Sequence, residues 1–153
     1  MNDELGLPTE LPSDFATACA CFNVRKAARA VTAFYDSVLQ PTGLRSTQAT
    51  LLMAIASAGA PTISRLAEAL MLDRTTLARD VKLLAEQALV RVTPGDDQRT
   101  RQLRLTDAGR AKLRQVIPLW EQAQTRLIAE GLGPVRWGQL YADLQEVVRL
   151  TQG

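Results

Sequence analysis

The chain has 153 residues, 46% hydrophobic and 22% charged, a composition that fits one domain, or one domain with an appended subdomain, and excludes a disulfide-stapled miniprotein, wholesale disorder or a fibrous repeat. No apolar run approaches 18 residues and the acidic start (Asp3, Glu4, Glu10) lacks the basic-then-apolar order of a secretory signal, so a cytoplasmic protein away from membranes is expected. The absence of histidine removes His-based triads and His-containing metal sites together, and no enzyme or cofactor is expected.

Residues 1–12 carry Gly6, Pro8 and Pro12 without a sustained period and read as a flexible arm. Ser13 is placed to cap a long first helix, in which Phe15, Cys19, Phe22, Val31, Phe34 and Val38 recur at helical spacing until Pro41 and Gly43 end it. Cys19 and Cys21 form a C-x-C pair with no further cysteine or histidine to complete a metal site. On a continuous helix their side chains point about 200° apart, so a bond between them requires unwinding. Arg25, Lys26 and Arg29 add positive charge that favours a thiolate, which makes Cys21 a candidate sensor and burial in a dimer helix the plain alternative.

Ser46 to Ala58 is a second helix, stopped by Gly59 and Pro61. From Thr62 the pattern changes to two short helices, Ile63–Leu70 and Asp73–Gln87, joined by a tight turn at Met71-Leu72. Asp73 is placed as a cap. In the second of the pair Leu77, Val81, Leu84 and Ala85 share one face, while Arg74, Thr75, Thr76, Arg79 and Lys82 fall on the other. Leu89–Thr93 and Arg101–Leu105 alternate as strands around the turn formers Pro94-Gly95-Asp96-Asp97, giving a hairpin with a charged tip.

Thr106 caps a helix expected to run from Asp107 to about Glu130, with Pro118 kinking or interrupting it. Gly131-Leu132-Gly133 breaks the chain, and Pro134 opens a last helix whose apolar stripe is Leu140, Leu144, Val147, Val148 and Thr151. The fold class is therefore mainly α with a small β-wing: a winged helix-turn-helix over 46–106, with a helical dimerisation region made of 13–40 and 107–153.

Charge is concentrated where that motif lies. The net charge is only +2, but residues 62–114 hold eleven basic against seven acidic side chains, and fifteen of the eighteen basic residues are arginine. A tight helix pair whose second helix shows a threonine- and arginine-rich face is built to enter a major groove, where Arg suits phosphates and the guanine edge and Thr suits phosphate oxygens and thymine methyls. All seven aromatic residues lie outside this stretch, which favours duplex over single-stranded nucleic acid. A helical adaptor that uses the same fold for protein contacts is the alternative.

Asp97-Gln98-Arg99 followed by Leu103, Leu105-Thr106 and Gly109 resembles the wing signature of the MarR-type regulators. Leu66-Ala67, Leu70, Asp73-Arg74-Thr75-Thr76-Leu77, Val81, Leu84 and Leu89-Val90 are similar to that family's recognition region, with Ala88 standing where many members have glycine. The resemblance implies an obligate homodimer on pseudopalindromic duplex DNA, most often a repressor. It makes Arg99 the wing arginine of the minor groove and Asp97 its brace, while Arg101 and Arg104 lie on the wing strand. Cys21-Phe22, Ala28-Arg29, Thr32 and Tyr35 resemble the first helix of the organic-peroxide-sensing branch, with departures at Arg25 and Ser46 where that branch has tyrosines. Other members bind small aromatic or phenolic anions, a role in which the resemblance would cast Arg25, Arg29 and Tyr35. The expected signal is thus a small-molecule effector or cysteine oxidation at Cys21 and Cys19.

Overall fold

The computed structural model describes residues 14–95 and 100–152, and its backbone contacts divide the chain into two compact units between Phe34 and Tyr35. The first unit holds α1 (Phe15–Ala18) and the start of α2 (Ala20–Leu39). The long first helix of the sequence reading is therefore broken at Cys19, whose backbone is extended (φ −73°, ψ 106°). Two local bonds stabilise the corner: the Phe22 N–H donates to Cys19 Sγ at 3.4 Å, and the Asn23 amide donates to the Ala16 and Cys19 carbonyls, each at 3.0 Å. The Asn23 amide and the Cys19 thiol thus satisfy the Ala16 carbonyl and the Phe22 N–H, which a continuous helix would have paired itself, while the Cys19 carbonyl keeps its helical partner, the Asn23 N–H, at 3.1 Å. The Ser13 cap and the 1–12 arm lie outside the described residues.

In the second unit a short 3₁₀ turn (Gln40–Thr42) leads into α3 (Ser46–Ala58), then α4 (Ile63–Ala69), α5 (Arg74–Glu86), strands β1 (Val90–Pro94) and β2 (Arg101–Leu105), α6 (Asp107–Gln124), a π-helical stretch (Thr125–Leu132) and α7 (Pro134–Thr151). Asp36 supplies the start of α3 from outside that helix, its carboxylate accepting from the Ser46 N–H at 2.6 Å. That bond, more than any other influence, holds the Asp36 carboxyl below its ordinary pKa. The core collects Leu52 and Ile55 of α3, Leu66 of α4, Leu77 and Leu84 of α5, Leu103 of β2 and Val116 of α6.

The strands pair antiparallel with Val90 opposite Leu105 and Pro94 opposite Arg101. Leu103 and Leu105 face inward while Gln102 and Arg104 take the opposite face, the alternation expected of a half-buried hairpin, and Arg101, on the leucine side, is exposed at the loop end of the strand. One addition escaped the sequence reading. The Leu103 N–H donates to the Pro61 carbonyl at 2.9 Å and Thr62 bridges Gln102, so the segment before α4 lies along β2 as a short third partner.

Pro118 does not interrupt its helix, because α6 continues through it to Gln124 with Val116 and Ala123 buried on either side. The change to π geometry comes later, at Thr125. Of α7 no residue is buried.

Candidate nucleic-acid interface

The presented helix α5 is fixed at both ends by local chemistry. At its start Asp73 accepts from the Thr76 N–H at 2.8 Å and from the Thr76 hydroxyl at 2.5 Å. These bonds, the hydroxyl first, hold the Asp73 carboxyl below its ordinary pKa, so the cap is ionised at neutral pH. The preceding turn closes α4: the Met71 N–H bonds the Glu68 carbonyl and the Leu72 N–H the Ala67 carbonyl, at 3.1 and 2.9 Å, with Met71 left-handed at φ 52°. The end of α5 repeats the pattern, Ala88 N–H to Ala85 and Leu89 N–H to Leu84, both at 2.9 Å, with Ala88 at φ 56°. Both are Schellman ends carrying a side chain where glycine is the usual occupant. The bend expected from glycine at position 88 is therefore made by alanine.

Between those ends Leu77, Val81 and Leu84 are buried, which turns Arg74, Thr75, Arg79 and Lys82 outward. Thr76 is half-buried against its cap, so its proton is committed to Asp73. Lys82 Nζ lies 3.8 Å from Glu86, an exposed pair of little energetic weight.

Behind α5 the Leu105-Thr106 and Gly109 positions have a visible purpose. Thr106 caps α6 by accepting from the Gly109 N–H at 2.9 Å, and its hydroxyl donates to the Ala88 carbonyl at 2.6 Å. A Cβ on Gly109 would stand 2.0 Å from the Leu89 carbonyl oxygen. The glycine is what lets α6 approach the end of α5 and the root of the wing so closely.

Arg101 is exposed on β2, and the Gly95 N–H closes the wing loop onto the Thr100 carbonyl at 2.9 Å. Asp97 and Arg99 lie outside the described residues. The register sets Arg91 opposite Arg104, on the strand face that the sequence reading did not assign; pairing the two strands from their turn would have found Arg91.

Cys21 is exposed and Cys19 half-buried at the α1–α2 corner, so Cys21 is not packed within the single chain. Arg25 and Arg29 are exposed on α2 in the first unit. In the second, the Tyr35 hydroxyl donates to Gln124 Oε1 at 2.6 Å, and burial raises its pKa. Among the described residues no group of three or more cysteine or carboxylate side chains gathers as for a metal, and no helix is long and apolar enough to cross a membrane.

Residues 42–100 match the model of the MarR family. The transcriptional regulator MosR of M. tuberculosis, solved in complex with DNA, is 34% identical over 88% of this chain and 96% of that one, with a TM-score of 0.79. Two more distant structures share the fold: a cysteine-to-serine variant of E. coli MarR complexed with operator DNA (20% identity, 90% and 99% coverage, TM-score 0.80), and Bordetella bronchiseptica BpsR, whose DNA binding is regulated by 6-hydroxynicotinic acid (22% identity, 90% and 98% coverage, TM-score 0.79). No curated protein matches the chain. With the helix pair, the wing and the glycine-backed junction in place, and a third of its residues shared with a regulator it spans almost end to end, the chain belongs to the MarR family.

Proposed function

We propose that the protein is a transcriptional regulator that binds pseudopalindromic duplex DNA as a homodimer and represses until a signal lowers its affinity. The observation that carries this reading is α5: its buried face and paired end motifs hold it rigidly while Arg74, Thr75, Arg79 and Lys82 project outward. A rigid element with a short polar face is what major-groove reading requires. Thr75 and Arg79 are assigned to base edges, Arg74, Lys82 and Arg101 to phosphates, and Arg99, with Asp97, to the minor groove. The apolar side chains that α7 leaves exposed are assigned to the second copy.

Footprinting on the DNA flanking the protein's own gene tests this. Protection of two half-sites about 34 Å apart, one helical turn, is expected. Equal affinity for that DNA and for random duplex would contradict it.

For the signal, the exposed Cys21 favours oxidation as one route, with Cys19 its nearest thiol in sequence. The expected result is that peroxide lowers operator affinity reversibly, and that Cys21→Ser retains binding but not the response. An unchanged response in Cys21→Ser would leave a small aromatic or phenolic effector, with Arg25, Arg29 and Tyr35 its first candidates, as the surviving route.

A further inference from the structure

Beside the root of the wing lies an open groove of about 420 Å³ lined by four arginines. Arg91 and Arg104 reach it from β1 and β2, and Arg110 and Arg114, one turn apart, from the start of α6. Leu105, Leu113 and Ile117 give it an apolar wall, and none of its lining residues is acidic. The Arg110 guanidinium donates to the Asp107 carboxylate at 2.5 Å and to the Leu105 carbonyl at 2.9 Å, which fixes it at the groove's edge. The bond to Arg110 first, and then the charges of Arg110, Arg91 and Arg114, hold the Asp107 carboxyl below the ordinary range. One carboxylate against four guanidiniums leaves a marked positive surplus.

The volume is that of a small-molecule site, and the mixed lining narrows the chemistry. A phosphodiester backbone gains nothing from Leu113 and Ile117, and the groove shares no residue with the outward face of α5. A monoanion would leave most of the charge unmatched, whereas a phosphomonoester brings about −1.5 to −2 at neutral pH and accepts the paired N–H donors of arginine. The geometry points to a binding site for an organic phosphate, with its phosphomonoester head among Arg91, Arg104, Arg110 and Arg114 and its apolar body against Leu113 and Ile117. It shares no residue with the Arg25, Arg29 and Tyr35 set, and because Arg91 and Arg104 stand on the wing strands, an occupant would bridge the wing to α6. Binding here does not depend on the DNA-binding reading.

Calorimetric titration of the full chain with 1-naphthyl phosphate, in the absence of DNA, tests the site. Saturable binding is expected, at least about tenfold tighter than inorganic phosphate or 1-naphthol alone, since head and body each contribute. The double variant Arg91→Gln, Arg114→Gln and the single variant Arg104→Gln should each weaken it by about tenfold or more, while Arg136→Gln on α7 leaves it unchanged. Thermal melts of each variant report on folding, and the head-and-body comparison on the wild type stands without them. Inorganic phosphate or 1-naphthol binding as well as 1-naphthyl phosphate, or no saturable binding, would overturn the proposal. So would Arg91→Gln, Arg114→Gln losing duplex DNA affinity while keeping 1-naphthyl phosphate, which would make the groove a backbone contact.

Discussion

Helices α5 and α7 are both two-faced, yet the chain treats their apolar faces differently. In α5 Leu77, Val81 and Leu84 are at most 3% exposed, so a single copy completes the packing and the opposite face is left for a ligand. In α7 Leu140, Tyr141, Leu144, Val147 and Leu150 remain 39–64% exposed, and Val135 is 85% exposed. The packing of α5 is thus complete within one chain, whereas α7 keeps an uncovered apolar face, the one assigned above to a second copy. Contiguous exposed apolar surface of this kind is the mark of an interface.

The largest expected effect breaks the α7 side of that contrast. Leu144→Glu with Leu150→Glu should raise the dimer dissociation constant by at least about a hundredfold, since each places a charge in an apolar contact. Sedimentation equilibrium reads this, and an unchanged oligomeric state would remove α7 from the interface. On the α5 side, Gly109→Ala should cost about 1–3 kcal/mol or more, because the added methyl meets the Leu89 carbonyl and not a movable side chain. A urea midpoint within error of wild type would show that the junction is looser than the contact implies.

A smaller effect has the opposite sign. Ala88 pays for its left-handed backbone, so Ala88→Gly should stabilise by about 1 kcal/mol, a higher urea midpoint at unchanged slope. Loss of stability would mean that the alanine methyl contributes packing. The smallest effect is in acid. Because the folded pKa of Asp73 is depressed, its contribution is present above the ordinary carboxylate pKa of about 4 and is lost as pH falls through the lower folded value. Amide exchange at Thr76 should therefore quicken on acidification, and Asp73→Asn should remove that pH dependence while keeping a cap. Exchange at Thr76 that ignores pH beyond its intrinsic rate would contradict the bond.

The sequence made α3, the Met71-Leu72 turn, the Asp73 cap and the hairpin legible because each is written in neighbouring residues. It did not show the corner at Cys19, where the Asn23 amide on the Ala16 carbonyl and the Cys19 thiol under the Phe22 N–H replace backbone bonds in a stretch of good helical periodicity. Pro118 failed as a breaker for a related reason: the loss of one backbone bond is outweighed where Val116 and Ala123 are both buried. The bridge from Thr62 to Gln102, and the meeting of Arg91 with Arg110 and Arg114, join residues far apart in sequence. Of the candidate interface, the α5 face could be read from helical spacing, whereas the commitment of Thr76 to its own cap could not.

In the proposed division of labour Thr75 and Arg79 of α5 read sequence while Arg74, Lys82 and Arg101 hold phosphates. Its most direct test is the dissociation constant of wild type, Arg79→Ala and Arg101→Ala on the footprinted operator and on random duplex, measured between 50 and 200 mM salt. Wild-type operator affinity should fall by roughly 10³–10⁵ across that range if 6–10 phosphates are contacted. Arg79→Ala should cost about 1–3 kcal/mol on the operator and little on random duplex, and Arg101→Ala should weaken both alike. Equal losses from Arg79→Ala on both DNAs would remove Arg79 from base reading, and an affinity indifferent to salt would rule out the phosphate contacts.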